Sequence, residues 1–253
     1  MKVAAIQHNI VWENPAANFE QLAPKIADAA ADGAKLIALA EMFSWGFSMN
    51  TQTVREPIGG PSTQFLIEQA ERNNAWVCGS LPAIDEGNDL PFNQLIVAGP
   101  DGEVHRYNKM YPFTYGGEHL NYTPGEKPLT VTIGDLRVSF FICYDLRFSN
   151  EFWDLAVDTD LYVIVANWPA KRAAHWTSLL MGRAIDNQAH VLGVNRVGDD
   201  GNDLHYSGDS RIIDPFGDVL AEDTEVEVTL TADVDPARVT AVRERFPFLT
   251  DRR

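Results

Sequence analysis

Short apolar runs of strand length alternate with helix-like stretches along this chain, and that alternation restricts it to a layered α/β fold. The run VAAIQHN (3–9) precedes NPAANFEQLAPKIADAAADG (14–33), where Asn14 and Pro15 start a helix and Phe19, Leu22 and Ile26 share one face. Pro24 interrupts that helix and Gly33 stops it, after which AKLIALAE (34–41) reads as a second strand. The pattern repeats with STQFLIEQAERNN (62–74) as a helix, AWVCGSLPA (75–83) as a strand, and NQLIVAGPDGEVHRYNK (93–109) as a hairpin turning at Pro100, Asp101 and Gly102. In the second half DLRVSFFI (135–142) and LYVIVAN (161–167) are strands around a short helical stretch, and HWTSLLMGRAIDNQ (175–188) is a helix leading into HVLGVNRV (190–197). A hairpin turning at Asp214–Gly217, a late strand EVTLTADV (227–234) and a helix over about 235–245 complete the chain. Hairpins among strand–helix units predict mixed sheets covered by helices.

No linker, low-complexity tract or repeat divides the 253 residues, so one α/β domain is expected. The start, MKVAAIQHNI, is too short an apolar run for a signal peptide, and no run reaches membrane-spanning length. A cytoplasmic location is therefore expected, and NYT at Asn121 is read as a chance glycosylation match. A formal net charge of -16 repels phosphate backbones and anionic membranes, which argues against nucleic acid and membrane partners. An anionic substrate would need a local cation.

Cys78 and Cys143 are the only cysteines, too few for a disulfide framework and in no metal-ligand spacing, so reduced thiols are expected. Most isolated cysteines are small core residues, and Cys78 inside AWVCGSL suits that reading. Cys143 stands where the apolar run SFFI ends and the polar YDLRF begins. A nucleophile there would face the crevice at the strand ends, with the next backbone N–H turned toward a developing oxyanion. Such a thiol needs a base or a nearby cation, and none of the six histidines is close in sequence.

Glu41, in LIALAEMFSWGF, is likewise the first acid after an apolar strand, and packing against Phe43, Trp45 and Phe47 would desolvate it into a general base. Lys109 closes a hairpin among aromatics, and Glu118 sits on the Gly/Pro-rich stretch YGGEHLNYTPGE. Taken singly, these are an ordinary strand-end carboxylate, a snorkelling lysine and a surface glutamate.

Together, AEMF…GF, NKMYPF, GGEHLNYTPG and CYDLRF, in that order, resemble the signature of the nitrilase, or carbon–nitrogen hydrolase, superfamily. The resemblance spans essentially the whole chain, and ANWPAKRAAHW, RAIDNQAHVLGVNRVG and YSGDSRIIDPFG bring it nearest the omega-amidase branch. It implies a four-layer αββα sandwich over residues 1–253, commonly dimerised, with no metal or organic cofactor. It also implies Glu41 as general base and acid, Lys109 as oxyanion stabiliser, Cys143 as nucleophile and Glu118 as the orienting carboxylate. The implied reaction is hydrolysis of a small-molecule amide by water through a Cys143 thioester, with Lys109 also favouring the thiolate.

The substrate expected for such an omega-amidase is a dicarboxylate monoamide, 2-oxoglutaramate or 2-oxosuccinamate. Arg147, four residues after Cys143, could grip its carboxylate bidentately, or could form an ion pair with Asp145 or Glu151. Tyr144 supplies an oxyanion N–H, Trp168 packs on the substrate chain, and Arg172, with Lys171, adds positive charge at the mouth, while Trp45 narrows the pocket. Three other readings are carried alongside: an amidase acting on deaminated glutathione or an N-carbamoyl compound, a silent scaffold member, and a Cys/His peptidase using His119 or His175. In HWTSLLMGRAIDNQ, Leu179, Leu180 and Ile185 are read as the packing face, and Arg183 and Asn187 as structural rather than ligand-lining.

Overall fold

The computed structural model describes residues 1–252. The first half contains β1 (Lys2–Gln7), α1 (Pro15–Ala31), β2 (Leu36–Leu39), α2 (Thr51–Val54), β3 (Glu56–Pro57), α3 (Pro61–Asn73), β4 (Trp76–Ile84), β5 (Phe92–Ala98) and β6 (Val104–Asn108). The second contains β7 (Leu129–Ile133), β8 (Leu136–Ile142), α4 (Ser149–Leu155), β9 (Leu161–Ala166), α5 (Ala173–Asn187), β10 (His190–Asn195), β11 (Val197–Asp199), β12 (His205–Ile213), β13 (Val219–Thr224), β14 (Val228–Asp233) and α6 (Pro236–Arg245). The Asn14 side chain accepts from the Ala17 N–H, so the N-cap read from the sequence is made.

Each half builds one mixed sheet, except that β14 of the second half pairs with β1 at the edge of the first. One sheet runs β14-β1-β2-β4-β5-β6, with β3 on β4, and the other runs β11-β12-β10-β9-β8-β7, with β13 on β12. Parallel pairs β1/β2 and β2/β4 form the centre of the first, and β8/β9 and β9/β10 that of the second; antiparallel strands flank both.

Strand alternation then separates the layers. In the first sheet Val3, Ala5, Leu36, Ala38, Leu95 and Val97 face the second sheet, where Val138, Phe140, Val163 and Val191 belong to the same core. The alternate residues Ala4, Ile6, Ile37, Leu39 and Ile96 face Leu22 and Ile26 of α1 and Phe65 and Leu66 of α3. Both faces of the central strands are buried, which is why they read as unbroken apolar runs. With α5 closing the far side, the order is helices, sheet, sheet, helices: the αββα sandwich.

Two local readings change, one on α5 and one among the strands, while the structural reading of Arg183 holds. On α5 the inward positions are Trp176, Leu180 and Ala184, while Ile185 turns outward at 46% exposure, because the apolar stripe follows i, i+4, i+8 from Trp176. Arg183 donates to the Leu146 carbonyl and lies over Phe152, a structural role. Strands β7 and β11 were not read from the sequence: β7, LTVTI, alternates apolar and polar residues over only five positions, and β11 is three residues long.

Candidate active site

Strands β2 and β8, one from each sheet, end in the same unusual way. Met42, just after Glu41, has φ 48°, and Cys143, the first residue after β8, has φ 47°, a left-handed conformation rare outside glycine. Strain of this kind persists only where surrounding structure enforces it. At Met42 the Ser80 hydroxyl accepts the backbone N–H at 2.9 Å. At Cys143 the neighbouring Ile142 N–H donates to Asp145 at 2.9 Å, folding residues 143–147 into a tight turn. Asp145 also accepts from Tyr107 Oη at 2.7 Å and from the Tyr111 N–H at 3.0 Å. Burial pushes Asp145 up to about 7, against the pull of Lys109 and these hydrogen bonds.

Strand β6 runs in the same sense as β2, because β5 is antiparallel to both β4 and β6, so Lys109 emerges on the same edge as Glu41. Its Nζ lies 2.9 Å from Glu41 Oε1 and 2.8 Å from Glu118 Oε2, with Lys109 1% exposed and both glutamates fully buried. Glu118 reaches this depth because Gly117, at φ 76°, turns the loop inward, where the carboxylate also accepts the Phe113 N–H. Asn93, at the start of β5, donates its Nδ2 to Glu41 Oε1 at 2.8 Å and to Glu118 Oε1 at 3.1 Å. From the opposite sheet, the Asn167 N–H donates to Glu41 Oε2 at 2.8 Å.

Burial alone would lower the Lys109 pKa, but Glu118 and Glu41 overcome it and hold the ammonium well above the ordinary lysine range. For Cys143, burial and the Glu41 charge push the thiol well above its usual range, and the nearby Lys109 does not offset them. Lys109 does pull toward the thiolate, but its charge is already shared between two carboxylates, so the balance for Cys143 lies toward the thiol. Cys143 Sγ contacts the Asn167 carbonyl at 3.9 Å and keeps 9% exposure. Cys78 is fully buried, and burial raises its thiol far above the ordinary range, as befits a core residue.

A cavity of about 400 Å³ opens over Cys143, bordered by Phe47, Tyr144, Arg147, Trp168, Lys171 and Arg172. The Arg147 guanidinium lies 4.7 Å from the Trp168 ring and donates to His175 Nδ1 at 3.2 Å. Neither carboxylate considered as its ion-pair partner takes that place, because Asp145 is turned into the Cys143 turn and Glu151 accepts from Tyr111 Oη and Asn150. Among the described residues Arg147 makes no ion pair. Trp168 donates its indole N–H to the Arg172 carbonyl, and Arg172 lies over the Phe113 ring at 5.4 Å. Trp45 does not narrow this cavity; its indole N–H is held by Glu56 at 2.7 Å.

The family model for carbon-nitrogen hydrolase matches residues 2–244. The chain belongs to the carbon–nitrogen hydrolase family. This hydrolase is 36% identical to the omega-amidase YafV of Escherichia coli (strain K12), across 99% of this chain and 96% of that protein. It is 28% identical to the 2-oxoglutaramate amidase of Bacillus subtilis (strain 168), across 98% and 96%. The crystal structure of XC1258 from Xanthomonas campestris, a CN-hydrolase superfamily protein with an arsenic adduct in its active site, matches with a TM-score of 0.93 at 36% identity, covering 100% of this chain and 97% of that one. The hydrolase therefore sits in the omega-amidase branch of the nitrilase superfamily and acts on carbon–nitrogen bonds other than peptide bonds.

Cys143, Tyr144, Arg147, Trp168 and Arg172 line the cavity of this hydrolase, and Glu41, Lys109 and Glu118 form the charged cluster beside it. Asn93 and Asn167 were missed. For Asn167 a signal existed: like Glu41 and Cys143, it is the first polar residue after a buried apolar strand.

Proposed function

We propose that this hydrolase is an omega-amidase that releases ammonia from the terminal amide of a dicarboxylate monoamide, 2-oxoglutaramate or 2-oxosuccinamate. The observation carrying this reading is Arg147, a guanidinium without an ion-pair partner among the described residues, in the same cavity as Cys143. A substrate carboxylate on Arg147, packed beside Trp168, leaves the amide at the other end of the molecule to reach the thiol.

Because the resting thiol is protonated, attack and proton removal go together. Cys143 Sγ bonds to the amide carbon as Glu41 takes the thiol proton. Lys109 and the Tyr144 backbone N–H stabilise the oxyanion, with Glu118 and Asn93 keeping the ammonium in place. Collapse breaks the C–N bond, Glu41 returns its proton to the nitrogen, and ammonia leaves a thioester on Cys143. Glu41 then deprotonates water, whose oxygen attacks the thioester; the C–S bond breaks and the sulfur recovers the proton. The whole chain acts as one hydrolase domain, since the base and lysine come from one sheet and the nucleophile from the other.

Arg147→Met should lower kcat/KM for 2-oxoglutaramate by about 10–100-fold, the value of charged hydrogen bonds to a carboxylate. A neutral primary amide of the same length should lose almost nothing. Equal losses on both substrates, or a wild-type preference for N-carbamoyl compounds or deaminated glutathione, would overturn the assignment.

A further inference from the structure

One buried acceptor beside the nucleophile has no partner. Asn167 is 5% exposed and lines the Cys143 cavity, and its side-chain amide is oriented without ambiguity. Its Nδ2 donates to the Glu41 backbone carbonyl, which can only accept, so Oδ1 is the free end. Among the described residues nothing donates to that Oδ1. Buried acceptors are rarely left empty, because the lost hydration is recovered only when a donor arrives.

Among the described residues Asn93 Oδ1 also lacks a donor, but Asn93 does not line the cavity, and the acceptors on Glu41 and the Asn167 backbone are occupied. Glu41 Oε1 takes Asn93 and Lys109, Oε2 takes the Asn167 N–H, and the Asn167 carbonyl faces the thiol. A primary amide brings two N–H donors to this point, and its nitrogen must lie close to Glu41 to receive the proton on departure.

We infer that Asn167 Oδ1 accepts an N–H of the substrate's terminal amide and thereby selects –CO–NH₂ over acyl groups whose leaving atom carries no hydrogen. This rests on the omega-amidase reading above. The hydrogen bond fixes the rotation of the amide, so that as C–N cleavage begins the nitrogen lone pair is turned toward the proton held by Glu41. Asn167 then has two separable parts: Nδ2 and the backbone N–H hold Glu41, and Oδ1 holds the leaving group.

The two parts separate by comparing ammonia release from 2-oxoglutaramate with methanol release from the 5-methyl ester of 2-oxoglutarate. Asn167→Ala removes Oδ1 and the Nδ2 contact while keeping the backbone N–H on Glu41, so kcat/KM should fall on both substrates and about tenfold further on the amide, the value of one hydrogen bond to a buried acceptor. Asn167→Asp keeps an acceptor but loses the Nδ2 donor; both rates should fall with the amide-to-ester ratio close to wild type. An unchanged ratio in Asn167→Ala would mean that Asn167 acts only through Glu41, which sinks this inference and spares the omega-amidase reading. Wild-type enzyme releasing neither ammonia nor methanol would overturn both.

Discussion

Glu41→Gln should lower kcat/KM for ammonia release by about 10²–10⁴-fold, the range for loss of a positioned general base. The upper part of that range is expected because the same group serves four proton transfers and burial beside Glu41 pushes the Cys143 thiol above its usual range. The substitution also has a structural cost. Glu41 Oε1 accepts from Asn93 and Lys109, and Oε2 accepts from the Asn167 N–H, so either orientation of a glutamine turns its NH₂ against a donor. A stability loss of about 1–3 kcal/mol follows from that clash. A denaturant midpoint recorded beside the kinetics separates the two effects, since a folded variant saturated with substrate retains only the catalytic loss. A decrease smaller than tenfold would transfer the base role elsewhere, with His175, the histidine bonded to Arg147, the first residue to test.

Lys109→Met should destabilise the fold by about 3–5 kcal/mol, the usual consequence of removing one partner from a buried charge cluster. Glu41 and Glu118, both fully buried, would face each other across Asn93 with no cation between them. Activity should also fall by about 10²–10³-fold, as for removal of an oxyanion donor. The double variant Lys109→Met/Glu118→Gln distinguishes these roles: removing one of the two carboxylates should restore much of the stability and none of the activity. Recovery of activity in the double variant would contradict the oxyanion role of Lys109.

What could be read from the sequence follows from how each residue is placed. Glu41 and Cys143 were legible because each ends an apolar run that could only be a buried strand, so the first polar residue had to emerge at a strand end. Lys109 was legible as the end of a hairpin. The burial of Glu118 was not, since glycine- and proline-rich segments read as surface loops and only the turn at Gly117 buries the carboxylate. Asn93 carries no charge and sits at the start of a strand, where its side-chain direction depends on the partner strands. The inward turn of Asp145 and the protonated state of Cys143 are tertiary properties: one is set by Tyr107 and Tyr111 reaching across from the β6 edge, the other by how one lysine charge is divided.

The most direct measurement is ammonia release from 2-oxoglutaramate by wild type and by Cys143→Ala, with glutamine and an aliphatic nitrile as controls. The predicted result is turnover of the oxo-amide by wild type, little on either control, and none by the variant, whose thermal midpoint stays near wild type because only a sulfur at the cavity floor is lost. Turnover that survives in Cys143→Ala would contradict the thioester route.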